Sequence, residues 1–414
     1  MMKNDGKTSD IAKTAPVAKK KPDFTDEQKA AINTDGKALV SASAGSGKTT
    51  TMVEKILRSI EGKVPLGKML ILVYNEAAAQ ELRDKLQSAL FDAACTASGG
   101  QRAIFRDALD ALAAAHIGTI HSFCFSLIKS NFEKLGVSPA CEVLSEGEAK
   151  RYEAQAMDDV FAERHAARDE IFGQLADVLI RSRREDELRK VVEKVRAVIA
   201  IQPDRKEFAD KLRTSFDNAL GGEYAQKMLA FFRRDSARVR AGLELASLLF
   251  SDAGYLRWSV KCERLAAMCR EAESADFEGV SGIASRIDDV AGLECEKSIS
   301  SKRMDPCDKD FGKDAVKQAI KLFSEWRDLF GDTGKVRTMH AQNTIYARKL
   351  VDLAEMTEEA AAVMKRADGV MSYEDLEFYA AELVRSGEFA GSFARVFVDE
   401  YQDVNPVQDF IIRG

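Results

Sequence analysis

Histidine is scarce in this sequence, with four in 414 residues, and the seven cysteines at 95, 124, 141, 262, 269, 295 and 307 include no CxxC pair and no cysteine–histidine cluster. These absences leave little from which to build a histidine-based or finger-type metal site and point to free, mostly buried thiols in a reducing compartment. Cys262 and Cys269 lie seven apart and are expected on one helix face, packed rather than metal-bound. No apolar run approaches the length of a membrane span, and the start, MMKNDGKTSDIAKTAPVAKKKPD, lacks the apolar stretch of a secretory signal. The expected location is the cytoplasm, with no membrane partner. A positive surplus is missing too: the net charge of -6 argues against coating nucleic acid by bulk attraction, while leaving room for a local basic channel.

What is present is an ordinary globular composition, 45% hydrophobic and 31% charged with a mean hydropathy of -0.25, in a chain long enough for about two or three domains. Residues 1–22, with six lysines, read as a flexible tail. From FTDEQKAAI the pattern turns helical, Thr25 and Gln28 standing at capping-box spacing. KALVSASAGSGKTTTMVEKIL then reads as a short apolar strand, a small-residue loop and an amphipathic helix. KMLILVYNEAAAQELRDKL repeats the theme, with 69–74 apolar enough for a strand buried on both faces. Successive βα units imply an α/β fold with a parallel sheet. AAAHIGTIHSFCFSLIKSNFEKL supplies a third strand and helix. After Pro139 about two hundred residues carry long, charged, helix-favouring stretches, read as a helical insertion in the α/β domain. The sheet pattern resumes at ARVFVDEYQ.

ASAGSGKTT, residues 42–50, fits A-x-x-G-x-G-K-T, a close relative of the P-loop. Small residues let backbone N–H groups wrap phosphates at the positive end of the following helix. On this reading Ser43, Ala44, Gly45, Ser46, Gly47, Lys48, Thr49 and Thr50 cradle the phosphates of ATP, Lys48 reaching the β- and γ-phosphates and the Thr49 hydroxyl ligating Mg²⁺. The plain alternative is a glycine loop that only turns a strand into a helix. A P-loop needs a second, acidic strand end, and VFVDE has that form. Asp399 is expected to hold Mg²⁺ through water and Glu400 to act as general base, delivered by a central, buried strand at its C-terminal end. The alternative is a surface strand ending in a solvated acidic turn.

DEYQD, Asp399 to Asp403, followed by Asn405 and Gln408, resembles motif II of superfamily one DNA helicases of the UvrD/Rep/RecB group. The remaining pieces stand in the group's order. FTDEQKAAI resembles the Q motif, which implies that Gln28 contacts adenine; the plain alternative is that Gln28 only caps its own helix. SAGSGKTT resembles motif I. LILVYNEAAAQELRDKL resembles motif Ia, with Tyr74, Asn75 and Glu76 where the group writes Phe-Thr-Asn; Asn75 can still donate to a phosphate, while an acid at 76 is less welcoming to DNA. GTIHSFC resembles the Thr-x-His-Ser motif, which implies that Thr119, His121 and Ser122 contact single-stranded DNA. His121 also has a plain reading, as a core histidine, and Tyr373 and Phe123 serve equally as core or stacking groups. SYEDLE, from Ser372, resembles the segment before motif II. TIHSFCFSLIKSNFEKLGVSPACEVLSEGEA is most similar to the AddA/RecB branch, with Cys141 and Ser145 in place of Phe and Asp.

The resemblance implies a RecA-like ATP-binding lobe at 23–140 and 341–414, interrupted by an all-helical insertion at 141–340, in an ATP-driven 3′ to 5′ helicase. It counts Gln402 with Lys48 and Glu400 at the catalytic centre. It implies single-stranded or end-containing DNA as partner, and a second subunit of a helicase/nuclease complex. The 414 residues are expected to be the front part of such an engine, ending before motif III and the second lobe, and so weakly active alone. The basic runs 181–184 and 233–240 either line a DNA path or form solvated helix faces. The rival reading is a non-catalytic nucleotide- or DNA-binding module that regulates a partner.

Overall fold

The computed structural model of the chain describes residues 23–43, 45–179 and 186–414. The tail 1–22, Ala44 and the basic run 181–184 lie outside the described residues. The chain divides into two units, one taking residues up to Ala149 together with Arg366–Gly414, the other taking Lys150–Lys365.

In the first unit, α1 (Asp26–Asn33) starts with the expected capping box: Gln28 N donates to Thr25 Oγ1 (3.3 Å) and Thr25 N donates to Gln28 Oε1 (2.9 Å). Lys55 on α2 (Lys48–Glu61) holds the other end of α1, its Nζ donating to the carbonyls of Ala31 (2.8 Å) and Thr34 (2.6 Å). A cation at a helix C-terminus is favourably placed, because the last carbonyls of a helix lack intrahelical partners.

Three strands form a parallel sheet in the order β2 (His116–Gly118), β1 (Met69–Leu72), β5 (Arg395–Val398). Met69, Ile71 and Val73 enter one core, with Ile56 and Ile60 of α2 and Leu82, Leu86 and Leu90 of α3 (Glu76–Thr96). Leu70 and Leu72, alternating with them, are buried as well, so β1 is covered on both faces as its composition suggested. A short α4 (Gly100–Ala111) leads into β2, which α5 (Ile120–Lys129) and α6 (Phe132–Leu135) follow. A second core joins Cys124 and Ile128 of α5 to Leu376 and Ala380 of α17 (Tyr373–Arg385) and to Val407 and Ile411 of α18 (Pro406–Arg413).

Two strand expectations need correction. Residues 37–42 form no strand, and Leu39 (81% exposed) and Val40 (52%) face solvent. An apolar run becomes a strand only where a neighbour completes its ladder, and among the described residues that segment has none. For the same reason β5 is not central: among the described residues it pairs with β1 alone, on the edge of the sheet, and Val396 is exposed. A two-stranded parallel pair, β3 (Glu142–Val143) with β4 (Val370–Met371), was not foreseen; two residues give too little pattern to read.

Every described element wholly within the second unit is helical; helices α7 (Glu146–Ala166) to α16 (Thr333–Ala367) occupy this part of the chain. The sequence line drawn at 340 falls inside α16, which is continuous. The main core packs α11 (Glu223–Asp252), α12 (Leu256–Ser274) and α15 (Pro306–Phe330) around Phe250, Leu265 and Phe323, with Cys262 and Cys269 fully buried on one face of α12. Burial pushes the Cys262 thiol up to about 12, the behaviour of a packing residue. All seven cysteines are free; three are buried and two exposed. Arg196 is buried between Glu153 (2.7 Å) and Glu358 (2.9 Å), and Arg205 shares Glu358. In the basic run on α11, Arg240 pairs with Glu273 (2.6 Å) and Glu244 (3.2 Å), Arg233 donates to the carbonyl of Ala275, and Arg234 and Arg238 are exposed beside Asp235.

Candidate nucleotide site and the loops beside it

The phosphate loop enters α2 through two glycines in the left-handed region, Gly45 (φ 78°) and Gly47 (φ 81°). Only glycine takes that backbone without strain. Ser46 closes the turn, its N (3.3 Å) and Oγ (2.7 Å) both donating to the Ser43 carbonyl. Gly47 is the N-cap of α2 and offers no side-chain cap, so the first helical amides, at Lys48, Thr49 and Thr50, are left to an external acceptor. A Cβ at Gly45 would meet nothing within 4 Å, so the loop is open on that side. Gln28 lies over the loop, its Nε2 donating to the Ser46 carbonyl (2.9 Å) while its Oε1 caps its own helix. Both ends of the amide are therefore engaged, one in the capping role and one on the phosphate loop.

β1 is parallel to β2 and to β5, and Leu72 stands level with both Gly118 and Val398. All three strands therefore end at one edge of the sheet, the edge where α/β sheets bind ligands. Asp399 and Glu400 leave β5 there, with Asp399 N donating to the Leu72 carbonyl (2.9 Å). Lys48 Nζ donates to Glu400 Oε1 (3.2 Å), closing a separation of 352 residues. Gln402 Nε2 donates to Glu400 Oε2. The Gln402 hydrogen bond, followed by the Lys48 hydrogen bond and charge, holds the Glu400 carboxyl below the ordinary glutamate range. Glu400 itself has φ 51°, a left-handed backbone unusual outside glycine and worth on the order of 1 kcal/mol of strain. Asp399 Oδ1 accepts from Glu400 N (3.1 Å).

The expected DNA contacts emerge at the same edge. Asn75 is the N-cap of α3, its side chain accepting from Ala78 N (2.7 Å), and Thr119 is the N-cap of α5, accepting from Ser122 N (3.2 Å). Thr119 Oγ1 donates to Glu76 Oε1 (2.9 Å), so the acid at 76 engages a residue expected to meet DNA. Ser122 Oγ donates to the Thr119 carbonyl (2.8 Å). His121 is neither core nor free: it is partly exposed, lies 4.5 Å from the ring of Tyr373, and its Nε2 stands 3.1 Å from Glu377 Oε1. Tyr373 is 45% exposed, whereas Phe123 packs towards the second core.

Sequence reasoning missed Glu377. It is 4% exposed and lies on α17 among the buried positions 376, 380 and 381, so an acid at a core spacing was the available signal. Asn405 Nδ2 (3.1 Å) and Gln408 Nε2 also donate to it. Burial raises its pKa, and the hydrogen bonds from His121, Gln408 and Asn405 more than reverse this, leaving the carboxyl below the ordinary range.

Comparison with known proteins decides the family. The UvrD/REP helicase N-terminal domain family matches residues 24–414. The chain belongs to that family. Its relatives include proteins named as ATP-dependent helicase/nuclease subunits: 29% identical over 436 residues in Bacillus cereus (strain AH820), and 28% identical over 438 residues in Bacillus anthracis and in Bacillus thuringiensis (strain Al Hakam). Each match covers 95% of this chain and 34% of the relative, so the chain spans about a third of the length of these helicase/nuclease proteins. No helix among the described residues is long and apolar enough to cross a membrane.

Proposed function

We propose that this chain is the ATP-binding lobe of an ATP-dependent DNA helicase, in which the first unit is RecA-like and the second is its helical insertion. The ion pair between Lys48 and Glu400 carries the reading, because it joins the uncapped phosphate loop to the acidic end of β5 at the sheet edge that also presents Asn75, Thr119 and His121. Lys48 and the first amides of α2 bind the phosphates of ATP, and Glu400 orients the attacking water and takes its proton, with Gln402 holding the Glu400 carboxylate. Among the described residues no three His, Cys, Asp or Glu side chains gather as ligands. Thr49 and Asp399 are hard oxygen donors that suit Mg²⁺, an ion that commonly takes few protein ligands and completes its shell with phosphate oxygens and water. Bound Mg²⁺ would neutralise phosphate charge. Gln28 holds the loop from above and contacts adenine.

The helix N-termini at Asn75 and Thr119 suit phosphate contacts of single-stranded DNA, with His121 and Ser122 beside them. The whole protein then moves 3′ to 5′, works with a second subunit in double-strand-break repair, and acts in the cytoplasm. In such an engine, stepping and full charge stabilisation call for a second lobe that closes on the nucleotide. Titration with a fluorescent ATP analogue tests the nucleotide reading. Mg²⁺-dependent binding weakened about 10- to 100-fold by Lys48→Ala is expected from the loss of one charge-assisted phosphate contact. Equal affinity in both proteins would refute it.

A further inference from the structure

Glu377 has no part in the roles above, yet it is a buried carboxylate that accepts from three side chains beside the site. Burying a carboxylate costs several kcal/mol unless donors replace its water, and here they come from two helices. His121 arrives from α5, and Asn405 and Gln408 from the start of α18. His121 and Gln408 share the same oxygen, Oε1. Asn405 and Gln408 are also each other's capping box: Gln408 N donates to Asn405 Oδ1 (2.8 Å), and Asn405 N to Gln408 Oε1 (3.3 Å). The segment leading to α18 starts at Glu400, held by Lys48, and Tyr401 in that segment donates its hydroxyl proton to Asp409 of α18.

We propose that Glu377 is a positioning residue that ties His121 to the start of α18, so that nucleotide at the Lys48–Glu400 pair alters how the start of α5, which carries His121, takes single-stranded DNA. The inference rests on the function proposed above and adds to it the residue that links its two sites. A phosphate group drawn to Lys48 competes with Glu400 for the ammonium. Release of Glu400 loosens the segment 400–404, which Tyr401, next to Glu400, links to α18 through Asp409. A shift of α18 moves Gln408 and Asn405, and because Gln408 and His121 share one acceptor oxygen, the imidazole must answer. Contiguity of this kind carries coupling only if both ligands bias it, so the decisive quantity is a coupling factor.

That factor is the ratio of dissociation constants for a fluorescein-labelled oligothymidylate, by anisotropy, without and with saturating Mg²⁺ and a slowly hydrolysed ATP analogue. The chain is expected to show a ratio at least about 5-fold from unity, the lower range of site-to-site coupling. Glu377→Gln is expected to bind each ligand alone within about 3-fold of the parent while its ratio falls to near 1. Gln408→Met, which removes the α18 donor that shares an acceptor oxygen with His121 and leaves Asn405 in place, should reproduce the loss and stands in if Glu377→Gln fails to fold. A parent ratio of 1, or variants that keep the parent ratio, overturns the inference. A parent chain that binds neither nucleotide nor oligothymidylate overturns the function reading first, and this one with it.

Discussion

Glu377 keeps its charge in the interior because three donors surround it, and that makes it a pH-dependent brace. Its folded-state pKa lies below the ordinary glutamate value of about 4.3, so the unfolded chain binds the proton more readily. The stabilisation is therefore complete well above that value and disappears as pH falls through it towards the folded-state pKa. Urea midpoints at pH 7 and pH 4 check this: the parent is expected to exceed Glu377→Gln at pH 7, and the gap to narrow at pH 4. A gap that stays constant or widens in acid contradicts the assignment. At this scale the sequence was readable where chemistry demands a residue type at a fixed spacing. Gly45, Gly47, Lys48, Asp399 and Glu400 were singled out for that reason, and Lys48 and Glu400 do meet. Glu377 was not readable, because its partners are 256, 28 and 31 residues away and no local rule joins them.

The elements were legible in proportion to their local signals. The capping box at Thr25 and Gln28 fixes the start of α1, and the apolar run at 69–74 locates β1, which ends at Leu72, since both depend on neighbours in sequence. Residues 37–42 look as apolar as a strand and form none, because a ladder needs a second chain segment that composition cannot supply. The edge position of β5 follows from the same lack of a neighbour. What the sequence hid about α1 is its anchor, Lys55, which α2 directs to the last carbonyls of the helix. Lys55→Met keeps the aliphatic stem and removes the charged bonds. It is expected to lower stability by about 1–2 kcal/mol in chemical denaturation, and to loosen α1 and with it the Gln28 contact to Ser46. An unchanged midpoint with unchanged amide exchange across α1 would show that the anchor is idle.

For the whole molecule, the chain reads as two self-contained units, each with its own buried cores. The first gathers the P-loop and the acidic strand end from opposite ends of the sequence, and the second is built from the helical stretch between them. On the proposed function, Lys48 and Glu400 form one ATP-hydrolysing site beside the DNA-contacting start of α5. Steady-state ATP hydrolysis by the purified chain, with and without single-stranded DNA, beside Lys48→Ala and Glu400→Gln, tests it most directly. The expected result is turnover raised by DNA, reduced about 10²- to 10⁴-fold by Glu400→Gln and lost with Lys48→Ala. Turnover that survives both substitutions, or that ignores DNA, would contradict it.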